Sequence, residues 1–186
     1  MLNVLRAPAV RATRAIGTLA AAAAFTLVAS GALTAQVRIN LKAWQEPVLM
    51  DTLRQDHFLR APADKVYQAA LQVFADLGIP TGQTDGKNGI IGSEKFERAR
   101  VLANAPMSHW FLCGEGAMGA NADIFRLEIA VVAWVKPEGA GTTLGVAAIA
   151  SGRDVSGVFR NPKECQSNGA LEVKIYDKIV SLVGGR

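Results

Sequence analysis

The chain has few of the side chains that carry reactive chemistry. It contains two histidines, His57 and His109, no H-x-x-x-H pair and no cluster of carboxylates, so its spacing indicates no metal site. Neither G-x-S-x-G nor S-x-x-K occurs, and these motifs mark common serine nucleophiles. We therefore expect no catalytic residue and no metal site, and we interpret His109 as a structural side chain beside Trp110.

Cysteine is also scarce. Cys113 and Cys165 are the only two, so the lipid-attachment cysteine that bacterial lipoproteins carry near their start is absent. An even count fits a disulfide in an oxidising compartment, and closing a loop of this length stabilises a fold by on the order of 4 kcal/mol. The alternative is a pair of buried free thiols.

Acidic residues are absent from the first 35 positions, which have the layout of a secretory signal peptide. Three arginines precede an uncharged apolar run over 15–37, and small residues end this segment. We expect a signal peptide over 1–35, cleaved after Ala32 or Ala35, and a periplasmic or secreted protein. The alternative is an uncleaved membrane anchor, because the run is long enough to span a bilayer. A membrane partner is expected only in that case.

Positive charge is in excess over the whole chain, with a net charge of +4, but three of the arginines lie in the leader. Without residues 1–35, the chain has 17 basic and 16 acidic residues, a net charge of +1. We therefore expect no nucleic-acid partner. The remaining chain of about 150 residues suffices for one domain with a single core. We place this domain at 49–186, after a linker at 36–48.

A long antiparallel hairpin over 123–151 is the main structural prediction. Alternate residues from Phe125 to Val135 are apolar, which is the spacing of a strand. Turn residues at 137–141 separate this strand from a returning strand rich in small residues. Trp134 falls on the opposite face of the first strand, where it is either covered by a loop or part of an exposed patch that meets a partner or ligand.

Two helices flank this hairpin in the sequence. Apolar residues at 3.6-residue spacing predict a helix over 62–77 and a terminal helix over 168–183. A first strand is expected at 51–60, a second hairpin around the polar turn at 85–88, and a short helix from Pro106. This order predicts an α+β fold in which a single antiparallel sheet packs against the C-terminal helix and the helix of the first half.

Several of these stretches resemble helix-grip domains, in which a curved antiparallel sheet wraps a C-terminal helix. The helix entry at 60–67 and the segments 78–80 and 85–92 are similar to outer-membrane assembly lipoproteins of the BamC type and to START-related ligand-binding domains. The stretch 113–123 is similar to uncharacterised exported bacterial proteins. The BamC-like resemblance implies an interaction domain of the cell envelope, whereas the START-like resemblance implies a carrier of a small apolar ligand in a cavity.

The predicted activity is binding by a small set of surface residues. Glu115, Met118, Asn121 and Trp134 form the expected binding surface. The letters of 114–119 match a dinucleotide fingerprint, but the cysteine that we expect in the disulfide precedes them and a predicted strand follows, so we expect no cofactor. We expect an exported non-enzymatic interaction domain with an envelope protein as partner. The alternatives are a carrier of a small apolar ligand and an enzyme of unknown class.

Overall fold

The computed structural model describes residues 55–155 and 161–184, together with two short paired strands, Arg38–Ile39 and Val48–Leu49. The predicted leader at 1–35, with both cleavage sites, lies outside the described residues, as does most of the predicted linker. Among the described helices, none is long and apolar enough to cross a membrane.

The described elements confirm an α+β fold with one large antiparallel sheet, a helix in the first half and a C-terminal helix. The helices are α1 (Ala63–Asp76), α2 (Asn121–Ile124) and α3 (Ala170–Val183). The strands of the sheet are β1 (Gln55–Leu59), β2 (Gln83–Asp85), β3 (Ile90–Gly92), β4 (Phe96–Ala99), β5 (Phe111–Leu112), β6 (Arg126–Glu138), β7 (Gly141–Arg153) and β8 (Lys163–Ser167). Their order is β2-β3-β6-β7-β8-β5, with β4 also paired to β6 and β1 to β7.

The predicted long hairpin forms the centre of the sheet. β6 and β7 pair along all thirteen residues of each strand. Their turn is shorter than the predicted turn at 137–141, because Pro137 and Glu138 remain paired with β7. Gly139 begins this tighter turn at φ +55°, a conformation that glycine adopts readily because it has no Cβ. The hairpin prediction is therefore confirmed, with a tighter end.

The two faces of β6 contribute to two different apolar clusters. The predicted apolar face lies in the main core together with α1 and α3, and its members are Phe125, Leu127, Ile129, Val131, Ala133 and Val135. The opposite face forms a second cluster of Ala130, Val132 and Trp134 with Ala147 of β7. The alternation predicted from the sequence is therefore confirmed.

One serine bridges the interval between β3 and β4, which both pair with β6. β3 pairs with Val132–Trp134 and β4 with Arg126–Ile129, so Val131 lies between the two pairings. The Ser93 N–H donates to the Val131 carbonyl at 2.8 Å, and Ser93 Oγ accepts from the Val131 N–H at 2.7 Å. The backbone groups of Val131 are thus satisfied where strand pairing is interrupted.

A carboxyl group fills a similar interval on β7. β1 pairs with Thr142–Val146 and β8 pairs with Ala150–Gly152, which leaves Ala148 between them. The Ala148 N–H donates to Oε1 of Glu172, a residue of α3, at 3.1 Å. This contact joins the C-terminal helix directly to the centre of the sheet.

Both long helices begin and end close to the predicted residues. α1 differs from the predicted 62–77 by one residue at each end, and α3 starts two residues after 168. Ser167 Oγ accepts from the Gly169 N–H at 3.1 Å, and Asn168 Oδ1 accepts from the Ala170 N–H at 3.0 Å. The N-cap is Gly169, and the side chains of Ser167 and Asn168 before it accept from backbone N–H groups at the helix start.

The buried faces of the two helices match the predicted apolar stripes, except that Leu182, a member of the predicted stripe of the terminal helix, is 48% exposed. Both contribute residues to the main core: Val66, Ala70, Val73, Phe74 and Leu77 at α1, and Leu171, Ile175 and Ile179 on α3. The first strand, β1, covers the described part of the predicted 51–60, and residues 51–54 lie outside the described residues.

The predicted disulfide is present between Cys113 and Cys165, whose Cα atoms are 4.3 Å apart. It joins the segment after β5 to β8, and both cysteines are buried. Leu112, the apolar residue directly before Cys113, is 57% exposed. The reason is strand alternation, because its neighbour Phe111 on β5 points into the core.

Candidate functional site

A groove of about 690 Å³ lies along the outer side of α3. We call it the helix groove, and its lining residues are His109, Trp110, Asn168, Gly169, Ala170, Val173, Lys174, Asp177, Lys178 and Ser181. Each of the six residues from α3 has another of the six three or four positions away, so they share one face of the helix. That face is different from the one that buries Leu171, Ile175 and Ile179.

A short 3-10 turn, Met107–His109, forms the wall of the groove across from α3. This turn is the short helix predicted to start at Pro106. Asn168 ties the wall to the start of α3, because its backbone N–H donates to the Trp110 carbonyl at 3.0 Å and its Nδ2 donates to the His109 carbonyl at 2.8 Å. The two sides of the groove are therefore held together by hydrogen bonds to the backbone.

The 3-10 turn is held at its start by Asp123 of α2. The Ser108 N–H donates to Asp123 Oδ1 at 2.8 Å, and Ser108 Oγ donates to Asp123 Oδ2 at 2.7 Å. A carboxylate that accepts a backbone N–H in this way acts as a helix cap. The contact therefore positions His109, which follows Ser108 directly.

The ammonium group of Lys174 is held at one place in the groove. Its Nζ donates to the Ala103 carbonyl at 3.0 Å and lies 5.2 Å from the ring centroid of Trp110. The Trp110 indole is itself fixed, because its Nε1 donates to the Leu102 carbonyl at 2.9 Å. A cation over a tryptophan ring is attracted by the negative face of the ring, which adds to the hydrogen bond.

The carbonyl that holds Lys174 belongs to a strained turn. Val101–Leu102 pairs with Ala105–Pro106, and the two residues between them, Ala103 and Asn104, have φ of +51° and +64°. Left-handed backbone costs a non-glycine residue such as Ala103 roughly 1–2 kcal/mol. Strain of this kind is often found at functional sites. Here it places the Ala103 carbonyl against the lysine of the groove.

Charge in the groove is mixed, with an excess of cations. Lys174 and Lys178 contribute two ammonium groups, and Asp177 contributes one carboxylate. His109 is exposed and adds a ring that can donate or accept hydrogen bonds. The apolar part of the lining includes Val173, which is 42% exposed. The groove can therefore offer both hydrogen-bond donors and an apolar contact to a bound molecule.

The carboxyl group of Glu172 lies one hydrogen bond away from the lining of the groove. Its Oε2 is 2.8 Å from Ser167 Oγ, which also accepts the N–H of the groove residue Gly169. Burial raises the pKa of Glu172 above its ordinary value, and hydrogen bonds from Ser167 and the Ala148 N–H offset this only in part. The side chain is 2% exposed, so it supports the start of α3 rather than meeting a ligand.

The binding surface predicted from the sequence is divided by the structure. Trp134 is only 5% exposed, and its Nε1 donates to Asp56 Oδ1 at 3.0 Å. Asn121 is 7% exposed. Glu115 and Met118 remain exposed on a small hairpin, where Met118 is 87% exposed. None of these four residues belongs to the lining of the helix groove.

Sequence reasoning missed the groove for a physical reason. Its two sides come from segments about 60 residues apart, at His109 and Trp110 on one side and α3 on the other. The polar stripe of Lys174, Asp177 and Lys178 is what any partly exposed amphipathic helix shows. The Asn168 contacts that join the two sides have no signature in the sequence.

The glycine-rich stretch at 114–119 forms no cofactor-binding turn. It lies in the small hairpin of Glu115–Gly116 and Gly119–Ala120, which is followed by the four-residue helix α2. A dinucleotide site needs a strand before the glycines and a longer helix after them, so the motif does not fit. Across the described residues, no group of three or more His, Cys, Asp and Glu is placed to hold a metal ion.

The interface between α3 and the sheet is filled by side chains. Leu171, Ile175 and Ile179 of α3 are fully buried there. The small residues of β7 leave less room than their number suggests, because Gly145 lies against Trp134 and Ala147 belongs to the second cluster. Close packing of this kind is usual in protein interiors.

Comparison with known proteins adds no family assignment. No protein-family model matches the chain, and no curated protein matches it either.

Proposed function

We propose that the chain is an exported, non-enzymatic domain that works by binding another protein of the cell envelope, and that the helix groove is its binding site. The observation that carries this proposal is the position of the groove. A space of about 690 Å³ lies on the outer side of α3, whereas the inner side is packed with apolar residues. Clefts of about this volume are typical of binding sites.

The carrier of a small apolar ligand is less well supported. A carrier needs an enclosed apolar cavity, and the START-like resemblance would place it between the terminal helix and the sheet. The residues of α3 that face the sheet, Leu171, Ile175 and Ile179, pack into the main core. Their side chains therefore occupy the place where the cavity would lie. The groove itself carries Lys174, Asp177 and Lys178, whose desolvation would oppose binding of an apolar molecule.

An enzyme is also less well supported by the groove. His109 is its candidate acid or base, and Ser108 is the nearest hydroxyl in the sequence. That hydroxyl donates to the carboxylate of Asp123, in a contact that caps the 3-10 turn. A nucleophilic serine requires a base that takes its proton. The group that Ser108 contacts is the carboxylate of Asp123, whose role here is structural, because it caps the 3-10 turn.

Export is supported by two independent features. The first is the order of basic, apolar and small residues over 1–35, which is typical of a signal peptide. The second is the disulfide between Cys113 and Cys165, since disulfides persist in oxidising compartments. Both features favour a protein that works outside the cytoplasm.

Site-specific photo-crosslinking tests the proposed function. A photoreactive amino acid replaces Ser181 in the groove, and a matched control carries it at Lys87, in the exposed turn between β2 and β3. We expect the Ser181 variant, expressed in the organism of origin, to crosslink to an envelope protein that the Lys87 variant does not capture. If the Ser181 variant crosslinks to no protein and the purified domain instead carries lipid-like molecules, the proposal is wrong and the carrier is correct.

A further inference from the structure

We infer that the helix groove binds an acidic, extended segment of its partner and that Lys174 is the residue that anchors it. This inference rests on the proposed function, because it names the chemistry of the partner for the same groove. The grounds are the fixed ammonium group, the charges around it and the length of the lining stripe.

The ammonium group of Lys174 is positioned before any ligand binds. The Ala103 carbonyl takes one of its N–H donors, and the ring of Trp110 limits where the side chain can move. A side chain that is already ordered loses less conformational entropy on binding. The remaining donors of the ammonium group can then meet a carboxylate at low entropic cost.

The amide of Asn168 is engaged within the protein, whereas the charged side chains of the groove face a partner. Asn168 uses both ends of its amide within the protein, since Nδ2 donates to the His109 carbonyl and Oδ1 accepts from the Ala170 N–H. Lys178 lies one helical turn beyond Lys174 and adds a second ammonium group. The excess of cations favours a partner with negative charge, which Coulomb attraction also steers into the groove.

The length of the groove fits an extended segment rather than a single small anion. Its lining on α3 runs from Ala170 to Ser181, which corresponds to about 16 Å along the helix axis. An extended peptide advances about 3.3 Å per residue, so about five residues cover this length. Val173 is exposed near the start of the stripe and offers an apolar contact beside Lys174.

The test is an NMR titration of the mature domain with a hexaglutamate peptide, with hexaglutamine and hexalysine as matched peptides. We expect saturable shift changes at groove residues such as His109 and Val173 with hexaglutamate only, weakened by added salt. We expect Lys174→Gln to weaken binding about fivefold and Asp177→Asn to strengthen it about twofold. Lys87→Gln, a charge change outside the groove, should leave the affinity unchanged.

Four outcomes would overturn the inference. These are no saturable binding, a preference for hexalysine, an equal loss in Lys174→Gln and Lys87→Gln, and binding of anionic lipid vesicles without binding of the peptide. The melting temperature of each variant shows that it is folded. The substitutions Lys174→Gln and Asp177→Asn are also combined with the photoreactive residue at position 181. If both combined variants capture the same protein equally well, the inference of an acidic partner segment is wrong and the proposed function stands. If hexaglutamate binds as expected but no protein is crosslinked, the proposed function is wrong instead.

Discussion

The carboxyl group of Glu172 accepts a hydrogen bond from the backbone N–H of Ala148 at 3.1 Å, in the interval between two strands that pair with β7. A helix side chain thus takes the place of a strand partner. The same carboxyl accepts a hydrogen bond from Ser167 Oγ, which in turn accepts the N–H of the groove residue Gly169. One buried group therefore supports the sheet and the start of α3 at once.

We expect Glu172 to make stability depend on pH. Its pKa is raised above 4.5 in the folded protein because it is buried, so the folded state holds a proton that the unfolded state has already lost. The stabilisation by this proton is present below pH 4.5 and is lost as the pH rises through the folded pKa. Glu172→Gln should therefore gain stability relative to the parent protein as the pH rises above 4.5. Urea unfolding between pH 4 and 8 measures the difference.

A matched variant separates this effect from a general change of surface charge. Glu164→Gln removes an exposed carboxylate from β8 and leaves the interval on β7 intact. Curves for Glu172→Gln and the parent protein that stay parallel from pH 4 to 8 would contradict the expectation. Glu172→Ala should be less stable than the parent protein by about 1–3 kcal/mol below pH 4.5, because it leaves the Ala148 N–H without its acceptor, and this deficit should shrink as the pH rises through the folded pKa of Glu172.

We expect Gly145→Ala to destabilise the fold by about 1–3 kcal/mol, although alanine is normally favoured over glycine in a strand. A Cβ at position 145 would overlap the indole ring of Trp134. Gly86→Ala is the control, because a Cβ there meets Tyr67 Oη at an ordinary 3.8 Å. Chemical denaturation of both variants gives the two free energies of unfolding. An unchanged or higher value for Gly145→Ala would mean that Trp134 does not pack on this glycine.

We expect removal of the disulfide to lower the free energy of unfolding by about 4 kcal/mol. The variant carries alanine at both Cys113 and Cys165, which are 52 positions apart in the sequence. Denaturant unfolding of this variant and of the parent protein, with and without a reductant, measures the loss. The reductant should affect only the parent protein, and recovery of two free thiols from exported parent protein would contradict the pairing.

We expect the mature protein to begin at Leu33 or Gln36, as cleavage after Ala32 or Ala35 requires. Intact-mass measurement on protein from the periplasm or the culture medium identifies the first residue. A product that still begins at Met1 and fractionates with the membrane would show that the leader is an anchor.

Local patterns predicted the elements of the fold well. The alternation around Phe125 and Val131 specified the face of β6 that is buried, and the helical stripes specified α1 and α3. The tight end of the long hairpin was missed because Pro137 is a turn former by propensity, yet here it remains paired with β7. Propensity is local, and the register of a thirteen-residue pairing overrides it.

Contacts between distant segments were not predictable in the same way. Glu172 lies in the first turn of the terminal helix, but nothing in the sequence indicated that its carboxyl group would reach Ala148. Trp134 could be read as covered or exposed, and the structure places it in the second cluster. The helix groove depends on the Asn168 hydrogen bonds to residues about 60 positions earlier.

The amino-acid sequence by itself determined the period, length and order of the main strands and helices, because these follow from which neighbouring residues are apolar. It also determined which two cysteines were available to pair. The tertiary structure alone decided which polar side chains are buried, which intervals in the sheet Ser93 and Glu172 fill, and where the groove lies. Those features depend on which distant segments come into contact when the chain folds. The burial and the hydrogen-bond geometry of such contacts have no local pattern in the sequence.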